Sequence, residues 1–365
     1  MSLVEQLLLI NAASAPEGNL YAWGSNSSGE LGLGDITNRS SPSAVGSLLT
    51  WSAVAGGGAF SLALKSDNTL WAWGQGASGR LGLGDTTSRS SPTQVGTLTT
   101  WSKIAAGAEF GAAIKTDNSL WTWGLNTSGQ LGLNDLVTTS SPVQVGSLTT
   151  WSQIDLGTRH ALAVKTDNTL WAWGYNLQGQ LGLGDTTTRS SPVQVGANAT
   201  WSKVSAGNSF SVAIGTNGSM WAWGFNSSGQ LGLGDTTSRS SPVQIGSLLT
   251  WASVSAGATA TAAIKTDGTL WTWGNNASGE LGQGNTTLLS SPVQVGSLST
   301  WSQVGVGNGF MIALKTDGTL WAWGINTSGQ LGLNDTTSRS SPVQIGSLTT
   351  WTKLSTGTSH ALALK

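Results

Sequence analysis

The chain has no cysteine and few charged residues, and each shortage excludes a class of protein. Without cysteine there are no disulfides, thiolate nucleophiles or cysteine metal ligands. Asp, Glu, Lys and Arg make up 9% of the 365 residues, against roughly 25% in average soluble domains. The formal net charge of −1 offers no basic surface to nucleic acid or to an anionic membrane. No apolar run approaches the roughly 20 residues needed to insert across a membrane.

Tryptophan and glycine, in contrast, are abundant, with 20 tryptophans and 51 glycines. The motif Leu-Trp-x-Trp-Gly, or a near copy, recurs every 50 residues, beginning at Leu20, Leu70, Leu120, Leu170, Met220, Leu270 and Leu320. A fixed period of this length is typical of repeat architectures. The two aromatic residues of the motif are two positions apart, so they lie on one face of a strand.

Residues 51–100 serve as a template for the repeat. They predict a first strand at Trp51–Ala55 and a second at Phe60–Lys65, joined to the next by a two-residue type I′ turn at Asp67-Asn68. A third strand follows at Thr69–Trp73, then a long polar loop at 74–91 and a short outer strand in the region of Gln94-Val95. Such a unit cannot bury both of its faces alone. Seven of them therefore predict an all-β, seven-bladed β-propeller with three to four antiparallel strands per blade.

The two ends of the chain predict how the ring closes. The last residues, His360–Lys365, match the second strand of a repeat, and Asn19–Trp23 match a third strand. The N- and C-terminal strands are therefore expected to pair within one blade. The domain organisation that follows is a propeller of 50-residue repeats over residues 19–365, preceded by a segment at residues 1–18.

The shared pattern of the repeats resembles a known family. Over residues 19–365 it reads Ala-Gly-x-x-Phe/His-x-x-Ala-Leu/Ile-Lys-Thr-Asp-Gly-Thr-Leu-Trp-Ala-Trp-Gly-x-Asn-x-Ser-Gly-Gln-Leu-Gly-x-Gly-Asp, which resembles the regulator of chromosome condensation repeat. This resemblance implies a seven-bladed propeller. Known members include nucleotide-exchange factors for small GTPases and a bacterial propeller that inhibits β-lactamases by binding them through its loops. Function does not follow from the fold itself.

Residues 1–18 have the apolar spacing of a short amphipathic helix. One helical face would carry Leu3, Val4, Leu7, Leu8 and Ile10. Ser2 and Glu5 form a capping-box pattern. A signal peptide is disfavoured, because Glu5 is acidic and no basic residue precedes the apolar run. The helix is expected either to cap its own propeller or to act as an anchor that docks to a larger assembly through residues 1–15.

No combination of residues predicts catalysis, a metal site or a cofactor. His160 and His360 occupy a position that holds Phe in four repeats, which indicates packing. An aspartate recurs in the long loop of six repeats, and one calcium ion per loop is an alternative to turn-stabilising Asx hydrogen bonds. These carboxylates are spread around the ring, so they cannot form a catalytic pair. The Asn-x-Ser sequences of the same loops are interpreted as turn caps.

Two positions vary strongly between repeats and mark the expected binding face. The post-glycine position directly follows Trp-Gly and holds Ser25, Gln75, Leu125, Tyr175, Phe225, Asn275 and Ile325. The pre-strand pair precedes the second strand and includes Glu109 and Arg159. In an antiparallel hairpin both positions fall at the same end, opposite the Asp-Gly turns. The predicted partner-binding residues are Leu125, Tyr175, Phe225, Ile325, Glu109 and Arg159. In the alternative interpretation, the apolar four cover neighbouring blades instead.

These observations favour a non-enzymatic propeller that binds another protein or a cell surface through its diversified face. A virion decoration protein or an exported recognition protein is the main expectation, with a virion or extracellular location. The alternative is an intracellular, cytoplasmic regulator of a small GTPase or of another partner. No nucleic acid partner and no membrane insertion are expected.

Overall fold

The computed structural model describes residues 18–47, 50–196 and 200–365. These residues form seven antiparallel sheets of four strands each. The prediction of an all-β, seven-bladed propeller is confirmed, with four strands in every blade. The predicted N-terminal helix, with Leu3, Val4, Leu7, Leu8 and Ile10, lies outside the described residues.

The strands are numbered in chain order, and each blade takes four of them. Blade 1 contains strands from both ends of the chain, namely β1 (Leu20–Gly24), β2 (Arg39–Ala44), β27 (Lys353–Thr356) and β28 (His360–Leu364). Blades 2 to 4 comprise β3 (Trp51–Gly56), β4 (Phe60–Lys65), β5 (Leu70–Gly74), β6 (Arg89–Gln94); β7 (Trp101–Ala106), β8 (Phe110–Lys115), β9 (Leu120–Gly124), β10 (Thr139–Gln144); and β11 (Trp151–Leu156), β12 (His160–Lys165), β13 (Leu170–Gly174), β14 (Arg189–Gln194). Blades 5 to 7 comprise β15 (Trp201–Ala206), β16 (Phe210–Gly215), β17 (Met220–Gly224), β18 (Arg239–Gln244); β19 (Trp251–Ala256), β20 (Ala260–Lys265), β21 (Leu270–Gly274), β22 (Leu289–Gln294); and β23 (Trp301–Val306), β24 (Phe310–Lys315), β25 (Leu320–Gly324), β26 (Arg339–Gln344). A single turn of 3-10 helix, Ala77–Gly79, follows β5.

Tryptophan side chains form the contact between neighbouring blades. Trp51 and Trp73 of blade 2 pack against Leu20 and Leu31 of blade 1, and their ring centroids are 6.1 Å apart. The buried indole N–H of Trp73 donates a 2.9 Å hydrogen bond to the backbone carbonyl of Glu30 in blade 1. The repeat of this arrangement around the ring explains why the tryptophan spacing is fixed.

The ring closes as the termini predict. Strands β1 and β28 pair antiparallel from Leu20↔Leu364 to Gly24↔His360. The Asn19 N–H donates to the Lys365 carbonyl at 2.9 Å. Blade 1 is therefore built from both ends of the described chain.

Two local predictions need correction. The turn between the second and third strands is not type I′, because only its last residue has a positive φ, 60° at Asn68. The Asn68 N–H donates to the Lys65 carbonyl at 3.0 Å, and the Lys65 N–H donates to the Thr69 carbonyl at 3.1 Å. The loop is thus a type I turn followed by a left-handed residue. The outer strand is also longer than predicted and includes Pro92, which an edge strand tolerates since no neighbour needs its N–H.

Candidate partner-binding face

The two variable positions are joined directly by backbone hydrogen bonds. The Tyr175 N–H donates to the Arg159 carbonyl at 2.8 Å, and the other six blades repeat this bond. Gly174 makes the close approach possible, because its φ is +100° and a Cβ there would lie 2.4 Å from the Arg159 oxygen. Both positions therefore lie at one end of the ring, which we call the diversified face.

The structure places three of the four predicted apolar residues on consecutive blades. Leu125, Tyr175 and Phe225 are half-buried and occupy the post-glycine position of the consecutive blades 3, 4 and 5. Ile325 is separated from them by the Asn275 blade. It also packs against the core of blades 7 and 1, so the alternative interpretation, covering of neighbouring blades, describes this residue better.

The two predicted charged residues differ in their surroundings. Glu109 lies 3.4 Å from the guanidinium of Arg80, which reaches it from blade 2. Burial lowers the pKa of Arg80, and the charge of Glu109 partly offsets this effect. Arg159 is exposed and forms no ion pair with any described residue. It is therefore free to meet an acidic group of a partner.

Sequence reasoning missed a position five residues after the post-glycine position, whose side chain is buried in every blade. We call it the companion position, and it holds Glu30, Arg80, Gln130, Gln180, Gln230, Glu280 and Gln330. Ser25 donates to Glu30 at 2.9 Å, Arg80 donates to Gln75 at 2.8 Å, and Asn275 donates to Glu280 at 2.6 Å. Where the post-glycine residue is Leu125 or Phe225, the companion amide Nε2 is buried without an acceptor in the described residues. The signal was present in the sequence, since the companion is charged when the post-glycine residue is polar and Gln when it is apolar.

Further apolar side chains are exposed in the long loops of blades 3 and 4. Leu136 and Val137 are 59% and 64% exposed in the loop of blade 3, and Leu177 is 58% exposed in the loop of blade 4. Most other copies of these positions carry Thr, Ser or Ala, with Ile36 of blade 1 as an isolated exception. The Asn134 N–H of the blade 3 loop donates to the Ser190 carbonyl of blade 4 at 2.8 Å, which holds the two loops together. We call this set the apolar sector: Leu125, Leu136, Val137, Tyr175, Leu177 and Phe225.

At its centre the diversified face opens into the axial tunnel of the propeller. A cavity of about 330 Å³ forms the mouth and is lined by the loops between the first and second strands. A second cavity, of about 270 Å³, lies deeper and contains Asp155. Burial raises the pKa of Asp155 to about 6, against the effect of hydrogen bonds such as the 2.8 Å bond from the Ala206 N–H. Asp155 has no second carboxylate among the residues that line this tunnel.

The long loops are held by hydrogen bonds from their own side chains. Asp185 accepts from the Thr187 N–H at 2.8 Å and from Arg189 at 2.6 Å. Asn176 is fully buried, donates to the Asp185 and Thr187 carbonyls and accepts from the Leu181 N–H. The Asx interpretation therefore describes these loops. Equivalent asparagines of the Asn-x-Ser sequences are buried in the same way, as turn caps: Asn26, Asn126, Asn226, Asn276 and Asn326.

Both histidines are buried and bind a serine of the next blade. His160 Nε2 lies 3.0 Å from Ser211 Oγ, and that hydroxyl donates to the Gln180 carbonyl, so the histidine is the donor. His360 makes the same contact with Ser61 across the ring closure. Burial lowers the pKa of His160 to about 3. Burial also lowers the pKa of His360, to about 4, and the charge of Glu30 partly offsets this effect. These geometries describe packing residues.

Membrane-spanning helices and clusters of metal ligands are both absent from the described residues. No helix within residues 18–47, 50–196 and 200–365 has the length and apolar character to cross a membrane. In that same part of the chain, no three His, Asp or Glu side chains are grouped as metal ligands.

A closed seven-bladed ring with one diversified loop face defines a propeller that presents variable residues on a constant scaffold. The model of the regulator of chromosome condensation (RCC1) repeat matches residues 17–64, 67–114, 117–164, 167–214, 217–264, 267–314 and 317–364. The chain belongs to the RCC1 repeat family. A comparison with curated protein sequences gave no significant match.

Solved structures of similar fold cover nearly the whole chain. Human WBSCR16 has 20% sequence identity and a TM-score of 0.86, covering 95% of this chain and 98% of its own. Prp20p from Saccharomyces cerevisiae, whose binding to Gsp1p and histones is described with its structure, has 19% identity and a TM-score of 0.85, covering 96% and 92%. Yeast RCC1 (Prp20) bound to Kap60 has 19% identity and a TM-score of 0.84, covering 96% and 89%. These identities establish the fold alone. They give no support to a virion role, an extracellular location or a cell-surface partner.

Proposed function

We propose that this chain is a binding protein that recognises a protein partner through the apolar sector of its diversified face. The observation that carries the proposal is the placement of Leu125, Tyr175 and Phe225 on three consecutive blades, with exposed leucine and valine side chains in the loops of two of them. Exposed apolar patches of this kind mark interaction sites. Arg159 lies beside Tyr175 and would pair with an acidic group at the rim. The protein would therefore act by binding rather than by catalysis.

The backbone of the face supports this role because it needs no rearrangement to present the sector. Each post-glycine residue is held by a backbone hydrogen bond to the pre-strand pair, and each long loop is tied to the next blade. A preformed surface loses little conformational entropy on binding. Aromatic anchors at the centre of an interface typically contribute ~2 kcal/mol or more each. Tyr175 and Phe225 are the expected anchors.

The test compares two double variants at the same structural position. Tyr175→Ser with Phe225→Ser removes the anchors, whereas Gln75→Ser with Asn275→Ser changes the polar blades and serves as the matched control. Proteins retained from an extract of the source organism by immobilised wild type are identified, and their affinities are then measured with purified components. We expect at least tenfold weaker binding for the first variant, with an unchanged melting temperature, and wild-type affinity for the control. Equal affinities for all three proteins would contradict the proposal.

A second candidate is regulation of a small GTPase. It is favoured by membership of the RCC1 family and by the likeness to Prp20p, which supports it at the level of fold. The test is the release of a fluorescent guanine nucleotide from small GTPases of the source organism. Acceleration by wild type but not by Tyr175→Ser with Phe225→Ser would assign the regulation to the apolar sector. The absence of acceleration for every GTPase would leave the binding proposal as the one to pursue.

The role of residues 1–15 as an anchor remains a proposal, supported by the spacing of their apolar side chains. Removal of residues 1–15 is expected to leave the melting temperature of the propeller unchanged and to release it from a larger assembly. The measurement is co-purification of full-length and shortened chains with that assembly. Equal recovery would rule out the docking role.

A further inference from the structure

A groove between blades 3 and 4 has the composition of a small-molecule site. Its volume is about 330 Å³, within the range of ligand pockets. The apolar lining includes Leu133, Val145 and Leu148 of blade 3 and Trp151, Trp171 and Pro192 of blade 4. One charged side chain, Lys165, also lines it. The groove is separate from the apolar sector of the diversified face.

Lys165 lies in the groove without an acidic partner. The residue is 8% exposed, and Nζ lies 3.6 Å from the ring centroid of Trp171 and 5.0 Å from that of Trp151. No carboxylate in the described chain forms an ion pair with it. The aromatic faces stabilise the cation only partly, and burial lowers the pKa of Lys165 despite the charge of Asp167. An anion beside the ammonium would offset that burial.

The indole N–H groups beside the groove are not open to it. The Trp151 N–H is buried and forms no hydrogen bond within the described residues, and the equivalent indole of every other blade, Trp201 included, is buried in the same way. The Trp171 N–H donates to Thr169 Oγ1 at 3.0 Å. The polar group that the groove offers a ligand is therefore the Lys165 ammonium, surrounded by apolar side chains.

The other blades show that the lysine and the leucine belong together. In the sequence, the same two residue types recur 17 positions apart in five other repeats, as Leu48 and Lys65, Leu98 and Lys115, Leu248 and Lys265, Leu298 and Lys315, and Leu348 and Lys365. In the remaining repeat both change at once, to Asn198 and Gly215. Simultaneous loss of the cation and of the apolar residue fits a shared role, and it supplies a natural control inside the same molecule.

We propose that the groove binds a small carboxylate with an apolar body, such as an aromatic acid. The carboxylate would lie against the Lys165 ammonium, and the apolar body against Leu133, Leu148 and Pro192. The equivalent grooves with both Lys and Leu would bind the same class of ligand. The groove at Gly215 would not.

The test is an NMR titration of the full chain with ¹⁵N-labelled tryptophan indoles. The ligands are phenylacetate and its uncharged analogue phenylacetamide. We expect saturable shifts of the Trp151 and Trp171 signals with phenylacetate, with a Kd of about 1 mM or tighter for a ligand of this size. Phenylacetamide should bind at least tenfold more weakly. The signals of Trp201 and Trp221, beside Gly215, should not move.

Lys165→Met removes the ammonium and keeps an apolar stem. It should abolish the phenylacetate shifts at Trp151 and Trp171, while Trp101 and Trp121 in the Lys115 groove still respond and so report a folded protein. Equal binding of the amide, unchanged shifts in Lys165→Met, or no saturation up to ~10 mM would each overturn the proposal.

Discussion

The diversified face has two halves that share a backbone and differ in chemistry. On blades 3, 4 and 5 the post-glycine residues are apolar, and each companion position holds Gln. On blades 1, 2 and 6 the post-glycine residues are polar and their companions are the buried charges Glu30, Arg80 and Glu280. The pair changes together because a buried charge needs a hydrogen-bonding neighbour. One scaffold can therefore present an apolar or a polar surface through the exchange of two side chains in a loop.

The first prediction is that buried tryptophans stabilise the two halves equally. Trp173→Ala on the apolar half and Trp73→Ala on the polar half should each lower the free energy of unfolding by ~3–5 kcal/mol, as large core truncations do. Both indoles are buried and donate to the companion carbonyl of the preceding blade. Denaturant unfolding measures the effect. A loss below about 1 kcal/mol in either half would show that its tryptophans are not the inter-blade core.

Acidification should destabilise the protein by about 2–3 kcal/mol between pH 7 and pH 5. Below pH 6.5 both histidines become protonated in the unfolded chain. In the folded protein His360 stays neutral down to about pH 4 and His160 down to about pH 3. The unfolded state then binds more protons, so stability falls with pH. Asp155 acts in the opposite direction, because the folded state keeps its proton up to about pH 6.

Denaturant midpoints across this range provide the measurement. His160→Phe with Ser211→Thr introduces the residue types found at the equivalent positions Phe210 and Thr261. It should remove roughly 2 kcal/mol of the acid loss, about three quarters of the net effect, because the contribution of Asp155 remains. A stability that is flat from pH 7 to 5 in wild type would contradict this account of the histidines.

The residues at the post-glycine and companion positions of one half can be substituted by those of the other half. Gln130→Glu alone should destabilise by ~1–3 kcal/mol, because one carboxylate oxygen would face Leu125 without a donor. Adding Leu125→Ser reproduces the Ser25–Glu30 pair and should restore ~1 kcal/mol or more. A double-mutant cycle in denaturant measures the coupling. Additive effects would show that the two positions vary independently.

The smallest effect is expected at the outer ion pairs. Arg189→Thr copies Thr139 of blade 3 and removes a partly exposed pair with Asp185. The expected loss is below ~1 kcal/mol and should shrink further in high salt. A loss above about 2 kcal/mol would show that these pairs stabilise the loops more than surface pairs usually do.

The blade count, the strand order and the ring closure could be predicted because each depends on periodicity. The 50-residue spacing and the incomplete repeat at each end were sufficient to predict the pairing of Leu20 with Leu364. The turn type was mistaken because Asp-Asn is compatible with more than one hairpin loop, and backbone hydrogen bonds decide between them.

The candidate site was predictable only in part. Variation between repeats located Leu125, Tyr175 and Phe225 on one face, but it could not distinguish them from Ile325, which packs into the core. The buried charges were missed because Glu and Arg are rarely buried unless paired, and the pairing crosses a turn whose shape depends on positive-φ glycines such as Gly29. Binding itself remains a prediction for all six residues.

The β1–β28 pairing also determines the order in which the molecule can be completed. Blades 2 to 7 each use one continuous stretch of chain, so they can form as they leave the ribosome. Blade 1 must wait for the final strand, because β1 has no partner on that side until β28 is made. Contacts between such distant residues form slowly, and an unpaired strand edge is prone to join other chains in the meantime. The ring is thus most exposed to aggregation in the interval before β28 is made.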